Sequence, residues 1–137
     1  MGLYLYIGND GGQIDGADFG KYADFGAFRQ YVASQVERGT LGHKFPVLLL
    51  HSDRDGEWTV DECHRLRAEL LQIGETMHAL PPAPVDGQWQ LDLVESRGMV
   101  PANAIESFFD ADGMPVLVRL LKLTAIAIEH GRPIVFQ

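Results

Sequence analysis

The segment at residues 45–62, FPVLLLHSDRDGEWTVDE, joins two hydrophobic patterns of different kinds. Residues 45–50 form an apolar run that is short enough to predict a buried strand. Residues 51–58 are rich in carboxylates and predict a turn. Thr59 and Glu62 have the Thr-x-x-Glu spacing of a capping box, which marks the start of a helix. The segment therefore predicts a strand, an acidic turn and a helix, in that order.

The helix that follows has the most regular pattern in the chain. Its apolar residues recur at alternating steps of three and four, which predicts one buried face along residues 59–80: Cys63, Leu66, Leu70, Ile73, Met77 and Leu80. Trp58 is expected to pack on Cys63 as a hydrophobic staple, and Pro81–Pro82 to end the helix.

Before this segment the pattern predicts a strand, a turn and a helix. Residues 3–7 alternate in the manner of a strand, residues 8–12 form a turn, and residues 14–21 predict a short edge strand or a loop. Asp24 is expected to cap a helix that ends at Gly39. Its buried face is predicted to contain Phe25, Phe28, Val32 and Val36.

After residue 82 the pattern is less regular. Trp89, Leu91 and Leu93 alternate with polar residues, which predicts a half-exposed strand over 88–94. The stretch at 105–109 fits a strand or a helical turn. A second acidic turn at 110–113 precedes an apolar helix over roughly 114–130, which has Pro115 in its first turn, and a last strand at 133–136.

These elements predict a single domain over residues 1–137 of the α+β or α/β sandwich class. About three helices are expected to pack on a mixed sheet of four to five strands. The chain has 137 residues and a net charge of −8. This charge argues against binding to nucleic acid or to an anionic membrane. The single Cys63 and the absence of a basic, apolar leader predict a cytoplasmic protein.

A calcium or metal site is the first alternative at the acidic turn. Counted from His51, the turn places Asp53, Asp55 and Glu62 at ligand positions of an EF-hand loop. However, the first ligand of that loop should be Asp, and His51 is a nitrogen donor that calcium disfavours. The competing interpretation gives Asp53 and Asp55 a turn-forming role and Glu62 a capping role. No cofactor or metal is predicted.

A small hydrolase centred on His51 is the second alternative. His51, Ser52 and Asp53 are adjacent in sequence, whereas a catalytic triad is brought together by the fold. Cys63 lies on the apolar stripe and is expected to be a core thiol. The sequence contains no Gly-x-Ser-x-Gly motif. The chain is therefore predicted not to be an enzyme.

A binding surface is the remaining interpretation of the acidic turns. If the two turns followed parallel neighbouring strands, they would lie together at one edge of the sheet. Trp58 would then be an interface anchor, since tryptophan is enriched at binding hot spots. The expected contact residues are Asp53, Asp55, Glu57, Trp58, Asp110 and Asp112.

Three motifs also resemble one family of small bacterial proteins. They are Phe-Pro-x-Leu-x-Leu-His-Ser-Asp-x-Asp-Gly-Glu-Trp at 45–58, Asp-x-Asp-Gly at 110–113 and Gly-x-Pro-Ile-x-Phe-Gln at 131–137. The family is the seventieth in the numbered series of immunity proteins of polymorphic-toxin systems. The resemblance implies a cytoplasmic protein that binds and neutralises a cognate toxin, possible partners including a nuclease. It implies no catalytic residues.

Overall fold

The structure is a computed structural model that describes residues 2–52 and 54–137. The strands are β1 (Gly2–Asn9), β2 (Gly12–Lys21), β3 (Glu57–Trp58) and β4 (Ile134–Phe136). They form one sheet with the strand order β2-β1-β4-β3, which is antiparallel at every described pairing. The helices are α1 (Tyr22–Tyr31), α2 (Pro46–Leu49), α3 (Val60–His78), α4 (Gln88–Arg97) and α5 (Val116–His130).

The fold is therefore α+β, and the predictions of this class and of four strands are confirmed. The sheet is antiparallel where a mixed sheet was expected, and the described residues form five helices where about three were expected. A π-helical segment, Val32–Glu37, continues α1, and a 3₁₀ turn covers Ile105–Ser107. Within the described ranges, no helix has both the length and the apolar character that a membrane span requires.

The β1–β2 hairpin confirms the first predicted strand and makes the second an edge strand. Leu3, Leu5 and Ile7 are buried on the face of β1 that the helices cover. Tyr4 and Tyr6 lie on the opposite face and are half-buried. This alternation follows from the two-residue repeat of a strand, which turns successive side chains to opposite faces.

Helix α3 confirms the prediction for residues 59–80. The Thr59 N–H donates to Glu62 Oε1 at 3.0 Å, and the Glu62 N–H donates to Thr59 Oγ1 at 3.2 Å, which completes the capping box. The predicted apolar face is buried as far as Met77. Trp58 and Cys63 are both fully buried, and the Cys63 thiol donates to the Trp58 carbonyl oxygen.

Helix α5 confirms the last predicted helix, although it begins at Val116 with Pro115 as its N-cap. Gly131 ends it with a φ of 62°, which is the left-handed conformation that favours glycine. α5 packs along α3, where a Cβ at Gly74 would lie 3.0 Å from Leu117 Cδ2. The absence of a side chain at residue 74 thus permits the two helices to approach closely.

The prediction of a strand at residues 45–50 is wrong, because these residues form the short helix α2. Pro46 occupies its first turn, and the buried N–H groups of Val47 and Leu48 donate to the Glu69 carboxylate at 3.1 and 3.0 Å. This carboxylate satisfies donors that a helix N-terminus leaves without intrahelical partners. A short buried apolar run has the same sequence pattern in a strand and in a helical turn.

A second buried carboxylate, Glu37, holds the chain just before α2. It accepts the N–H groups of Gly42 at 2.8 Å and of Lys44 and Phe45 at 3.0 Å. Burial raises the pKa of Glu37, but these three donors and the nearby His43 outweigh burial, so its pKa is lowered. Burial also raises the pKa of Glu69, and there the N–H donors of α2 oppose the effect only in part.

The prediction of a strand at residues 88–94 is also wrong, since these residues belong to α4. No residue of α4 is fully buried, so the alternation of Trp89 with Leu91 does not mark one face of a sheet. Instead, the Trp89 indole N–H and the Gln90 side-chain amide both donate to Asp24, at 2.9 and 2.8 Å. This contact with a distant carboxylate fixes the start of α4.

Asp24 takes a different position from the one predicted. It is the third residue of α1, whose N-cap is Lys21, and it accepts the Lys21 N–H at 2.7 Å. Burial raises the pKa of Asp24, but its hydrogen bonds from Trp89, Gln90 and Lys21 lower it further than burial raises it. The predicted apolar face of this helix is buried, and the helix ends in a left-handed Arg38, one residue before Gly39.

Glu69 gives a pH-dependent prediction. Its pKa in the folded chain is raised above its ordinary value of 4.5, so the unfolded chain releases this proton first as the pH rises. The stability that Glu69 contributes is therefore fully present below pH 4.5 and is lost as the pH passes through the raised value. The free energy of unfolding of the wild type, minus that of Glu69→Gln, should fall as pH rises from 4.5 towards 7, measured by urea denaturation.

Glu75→Gln is the matched control, because Glu75 is an exposed residue of the same helix. The difference between the wild type and this variant should show no comparable decline over that pH range. A wild-type-minus-Glu69→Gln difference that rises with pH would contradict the assignment.

Candidate functional site

The acidic loop comprises residues 51–57, of which 51–52 and 54–57 are described. It follows α2, includes the first residue of β3, and is held at its base by α1. The Arg29 guanidinium donates to the carbonyl oxygens of Leu49 at 2.8 Å and His51 at 2.6 Å. These oxygens belong to the last turn of α2 and the first residue of the loop. A cation at this position also interacts favourably with the carbonyl end of a helix. The loop therefore starts from a fixed point on α1.

His51 links the two ends of this loop. Its Nδ1 lies 2.7 Å from the Ser52 carbonyl oxygen, and its Nε2 lies 2.9 Å from the Glu57 carbonyl oxygen. The ring also stacks on Phe136 of β4, with ring centroids 4.2 Å apart. Carbonyl oxygens only accept hydrogen bonds, so a neutral ring satisfies one of them and a protonated ring satisfies both.

This geometry gives His51 a structural role in the loop. Both ring nitrogens face backbone carbonyl oxygens, so neither is directed at a substrate or at a serine hydroxyl. His51 borders a cleft between α1 and α2, and the described residues that line this cleft include no carboxylate and no thiol. Burial raises the pKa of the other candidate nucleophile, Cys63, to about 11, so its thiol stays protonated near neutral pH.

Trp58 is not the exposed anchor that the sequence predicted. Its side chain has no exposed surface, its indole N–H donates to the Val47 carbonyl oxygen at 3.1 Å, and its ring packs edge-on against Phe136. The residue faces the core because β3 alternates in the ordinary way, with Glu57 outward and Trp58 inward. Trp58 thus joins β3 to α2 beneath the loop.

The loop itself presents carboxylates to solvent. Asp55 and Glu57 are both exposed, and Gly56 between them has a φ of 84°. Asp53 lies outside the described residues. The Gly56 carbonyl oxygen accepts the Phe136 N–H at 2.9 Å, so the end of the loop continues the sheet. The predicted contact residues in this region therefore divide into exposed Asp55 and Glu57 and buried Trp58.

The second acidic turn, at residues 110–113, divides in the same way. Asp110 is fully buried, and its Oδ1 accepts the N–H groups of Asp112 at 2.9 Å and Met114 at 3.0 Å. Its Oδ2 accepts from Arg119 Nε at 2.7 Å. Asp110 therefore organises the turn and offers no contact surface, which corrects its predicted role. The Asp112 side chain is 72% exposed, although it also lies 3.2 Å from Arg119.

The two acidic turns do not lie at one edge of the sheet. The Ala111 N–H donates to the Asp18 carbonyl oxygen of edge strand β2, whereas Glu57 belongs to the opposite edge strand, β3. Three inter-strand steps of about 4.8 Å separate these strands, or roughly 14 Å. The expectation of a shared edge required parallel neighbouring strands, and the described strands are antiparallel.

The alternative metal site, with Asp53, Asp55 and Glu62 as ligands, receives no support from the described residues. Glu62 is engaged in the capping box of α3, where it accepts the Thr59 N–H. No group of three His, Cys, Asp or Glu side chains in the described ranges is arranged to hold a metal ion. Asp53 is outside those ranges.

Glu37, Glu69 and the Asp24–Trp89–Gln90 cluster are the polar groups that the sequence patterns missed. Glu69 had a readable signal, because it lies on the apolar stripe of α3 between Leu66 and Ile73 and is buried with them. A carboxylate on such a stripe needs hydrogen-bond donors from another part of the chain. Asp24 meets Trp89 and Gln90 over 65 and 66 residues, and left no comparable pattern. Glu37 binds N–H groups five to eight residues away, in a loop without a regular repeat.

The two aspartates of the second turn should differ sharply in their effect on stability. Asp110→Ala leaves the Arg119 charge buried without its main partner, and loss of one member of a buried pair costs about 3–5 kcal/mol. Asp112→Ala removes a largely exposed partner and should cost less than about 1 kcal/mol. Urea denaturation of both variants measures the difference. Equal losses in the two variants would contradict the role assigned to Asp110.

Comparison with known proteins places the chain in a family. No curated protein and no solved structure matches it. A family model described as Immunity protein 70 matches residues 12–136, which is nearly the whole chain and includes both acidic turns. This match confirms the resemblance carried by the three sequence motifs. The chain belongs to the Immunity protein 70 family.

Proposed function

We propose that this protein neutralises a cognate toxin of a polymorphic-toxin system by binding it through an acidic surface. Membership of the immunity family supports the general role. The proposal of an acidic surface rests on the exposure of Asp55 and Glu57. They lie on a loop that hydrogen bonds of Arg29 and His51 hold in place. A loop held in this way presents its charges at small entropic cost on binding.

The proposed contact residues are now Asp55 and Glu57, with Asp112 at the opposite edge of the sheet. Asp53 remains part of the proposal on sequence grounds, since it lies outside the described residues. Trp58 and Asp110 support the two turns from below, because neither has exposed surface. A partner that meets both turns has to span the sheet between its two edges.

The expected partner surface is basic. The chain carries a net charge of −8, and opposite charges speed the encounter of two proteins and favour the correct orientation. A nuclease domain is one class of toxin that meets this requirement, because its substrate groove must attract phosphate groups. The action is proposed to be stoichiometric occlusion in the cytoplasm, without catalysis.

Co-expression tests the role directly. The chain is expressed in a sensitive bacterial host together with the product of the adjacent gene, and growth and co-purification are scored. Rescue of growth with a stable complex supports the proposal. A toxic neighbour that this chain neither rescues nor binds would contradict it.

Charge reversal in the loop tests the surface. Glu57→Lys and Asp55→Lys, combined, should slow association with the toxin by roughly 10-fold at low salt and weaken its salt dependence, since steering charges act mainly on the association rate. Stopped-flow or surface-based kinetics at two salt concentrations measures this effect.

Glu57→Lys is also measured alone, and Glu75→Lys is its control, because both positions are exposed glutamates and the charge change is the same. Residue 75 lies fifteen residues along α3 from Val60, roughly 22 Å from the start of the helix. Glu75→Lys should leave the association rate nearly unchanged. Equal effects at positions 57 and 75 would show that net charge, and not this loop, steers the partner.

A further inference from the structure

The groove between α1 and residues 83–90 is a second concave surface that the acidic loop does not include. It encloses about 380 Å³, which is within the range of small-ligand pockets. Four aromatic rings line it: Phe19, Tyr31, Phe108 and Phe109. The rings of Tyr31 and Phe108 are half-buried, with centroids 5.1 Å apart, so part of this aromatic wall is open to an incoming group.

The charges in the groove are all of one sign. Asp24 and Asp86 are the charged residues among the described residues that line it, and Asp86 is exposed. The hydrogen bonds that Asp24 accepts hold its pKa below the ordinary value, so it is ionised at neutral pH. An anionic group would therefore be repelled from this groove, whereas a cation would be attracted.

The groove also contains an acceptor with no donor among the described residues. The Gln90 amide nitrogen donates to Asp24 Oδ1 at 2.8 Å, which fixes the orientation of the amide because a carboxylate only accepts. Its oxygen, Oε1, is buried and accepts no hydrogen bond from that part of the chain. Because Oε1 has almost no accessible surface, an incoming N–H group reaches it only when the Gln90 side chain or its neighbours shift.

Aromatic rings and carboxylates in one groove favour a cationic side chain that can also stack on a ring. An arginine side chain has an aliphatic stem, a planar cation that stacks on aromatic faces, and five N–H donors. A lysine offers the charge without the planar surface. An apolar side chain would leave the negative charge of the two carboxylates uncompensated.

The position of the groove relates it to the acidic loop. Gln30 of α1 borders both this groove and the cleft that contains His51. A partner that covers the loop can therefore reach the groove across one helix. We propose that the groove receives an arginine side chain of the toxin, an inference that rests on the proposed function and names a second point of contact.

A titration of the protein alone tests the chemistry of the groove. N-acetyl-arginine amide is added to the isotope-labelled full chain, and the Trp89 indole N–H and the Gln90 side-chain amide resonances are followed by NMR. Both groups contact Asp24, so they report on the groove. We expect saturable shifts, and roughly fivefold weaker binding of the uncharged isostere N-acetyl-citrulline amide. No saturable shift, or equal binding of the two compounds, would overturn the proposal.

Two variants with identical changes locate the site. Ala27 and Ala23 are exposed on α1 one helical turn apart, and of the two only Ala27 lines the groove. Ala27→Arg places a guanidinium in the groove from within the chain and should abolish the arginine-dependent shifts. Ala23→Arg adds the same charge and should preserve them. Retention of the shifts in Ala27→Arg would overturn the location.

The same two variants connect the groove to the toxin. Ala27→Arg should weaken the toxin complex at least about tenfold, which corresponds to 1.4 kcal/mol, while Ala23→Arg changes it little. Unaltered toxin binding by Ala27→Arg would overturn the inference and leave the proposed function intact. Failure of the wild type to bind the toxin would instead contradict the proposed function, while the arginine titration would still report on the groove itself.

Discussion

Two buried carboxylates hold the part of the chain on which the acidic loop is built. Glu37 and Glu69 together accept five backbone N–H groups from residues 42–48. Four of these hydrogen bonds are buried, in a segment too short to form its own hydrogen-bonded ladder, and a buried donor left without a partner costs about 1–3 kcal/mol. The position of α2 therefore depends on side chains from α3 and from the π-helical end of α1.

The acidic loop follows α2, so the contacts that fix α2 also fix the start of the loop. Glu69 holds the N-terminal end of α2 by accepting a backbone N–H group. Arg29 holds the C-terminal end by donating to two carbonyl oxygens. Trp58 then binds the Val47 carbonyl oxygen from the far end of the loop. The exposed Asp55 and Glu57 are thus supported by hydrogen bonds of Glu69, Arg29 and Trp58, which are buried or partly buried. Binding surfaces gain from such support, because the contact residues do not need to be ordered by the partner.

Sequence reasoning succeeded where one local pattern was sufficient. The apolar repeat of α3, its Thr59–Glu62 capping box and the alternation of β1 each have a physical cause within a few residues. It failed at α2 and α4, because those short elements depend on Glu69 and Asp24, which are distant in sequence. For the site, composition identified the two acidic turns but did not distinguish inward from outward carboxylates. Asp110 faces inward because of Arg119, a pairing that no spacing rule predicts.

Hydrogen exchange of the chain with and without its toxin reports the contact surface without altering any residue. We expect the amides of residues 52–57 to exchange more slowly in the complex, together with those along residues 83–90. The amides of Val47 and Leu48 should already be protected in the free chain, since Glu69 binds them. Protection confined to other surfaces, with the 52–57 amides unchanged, would contradict the proposed contact surface.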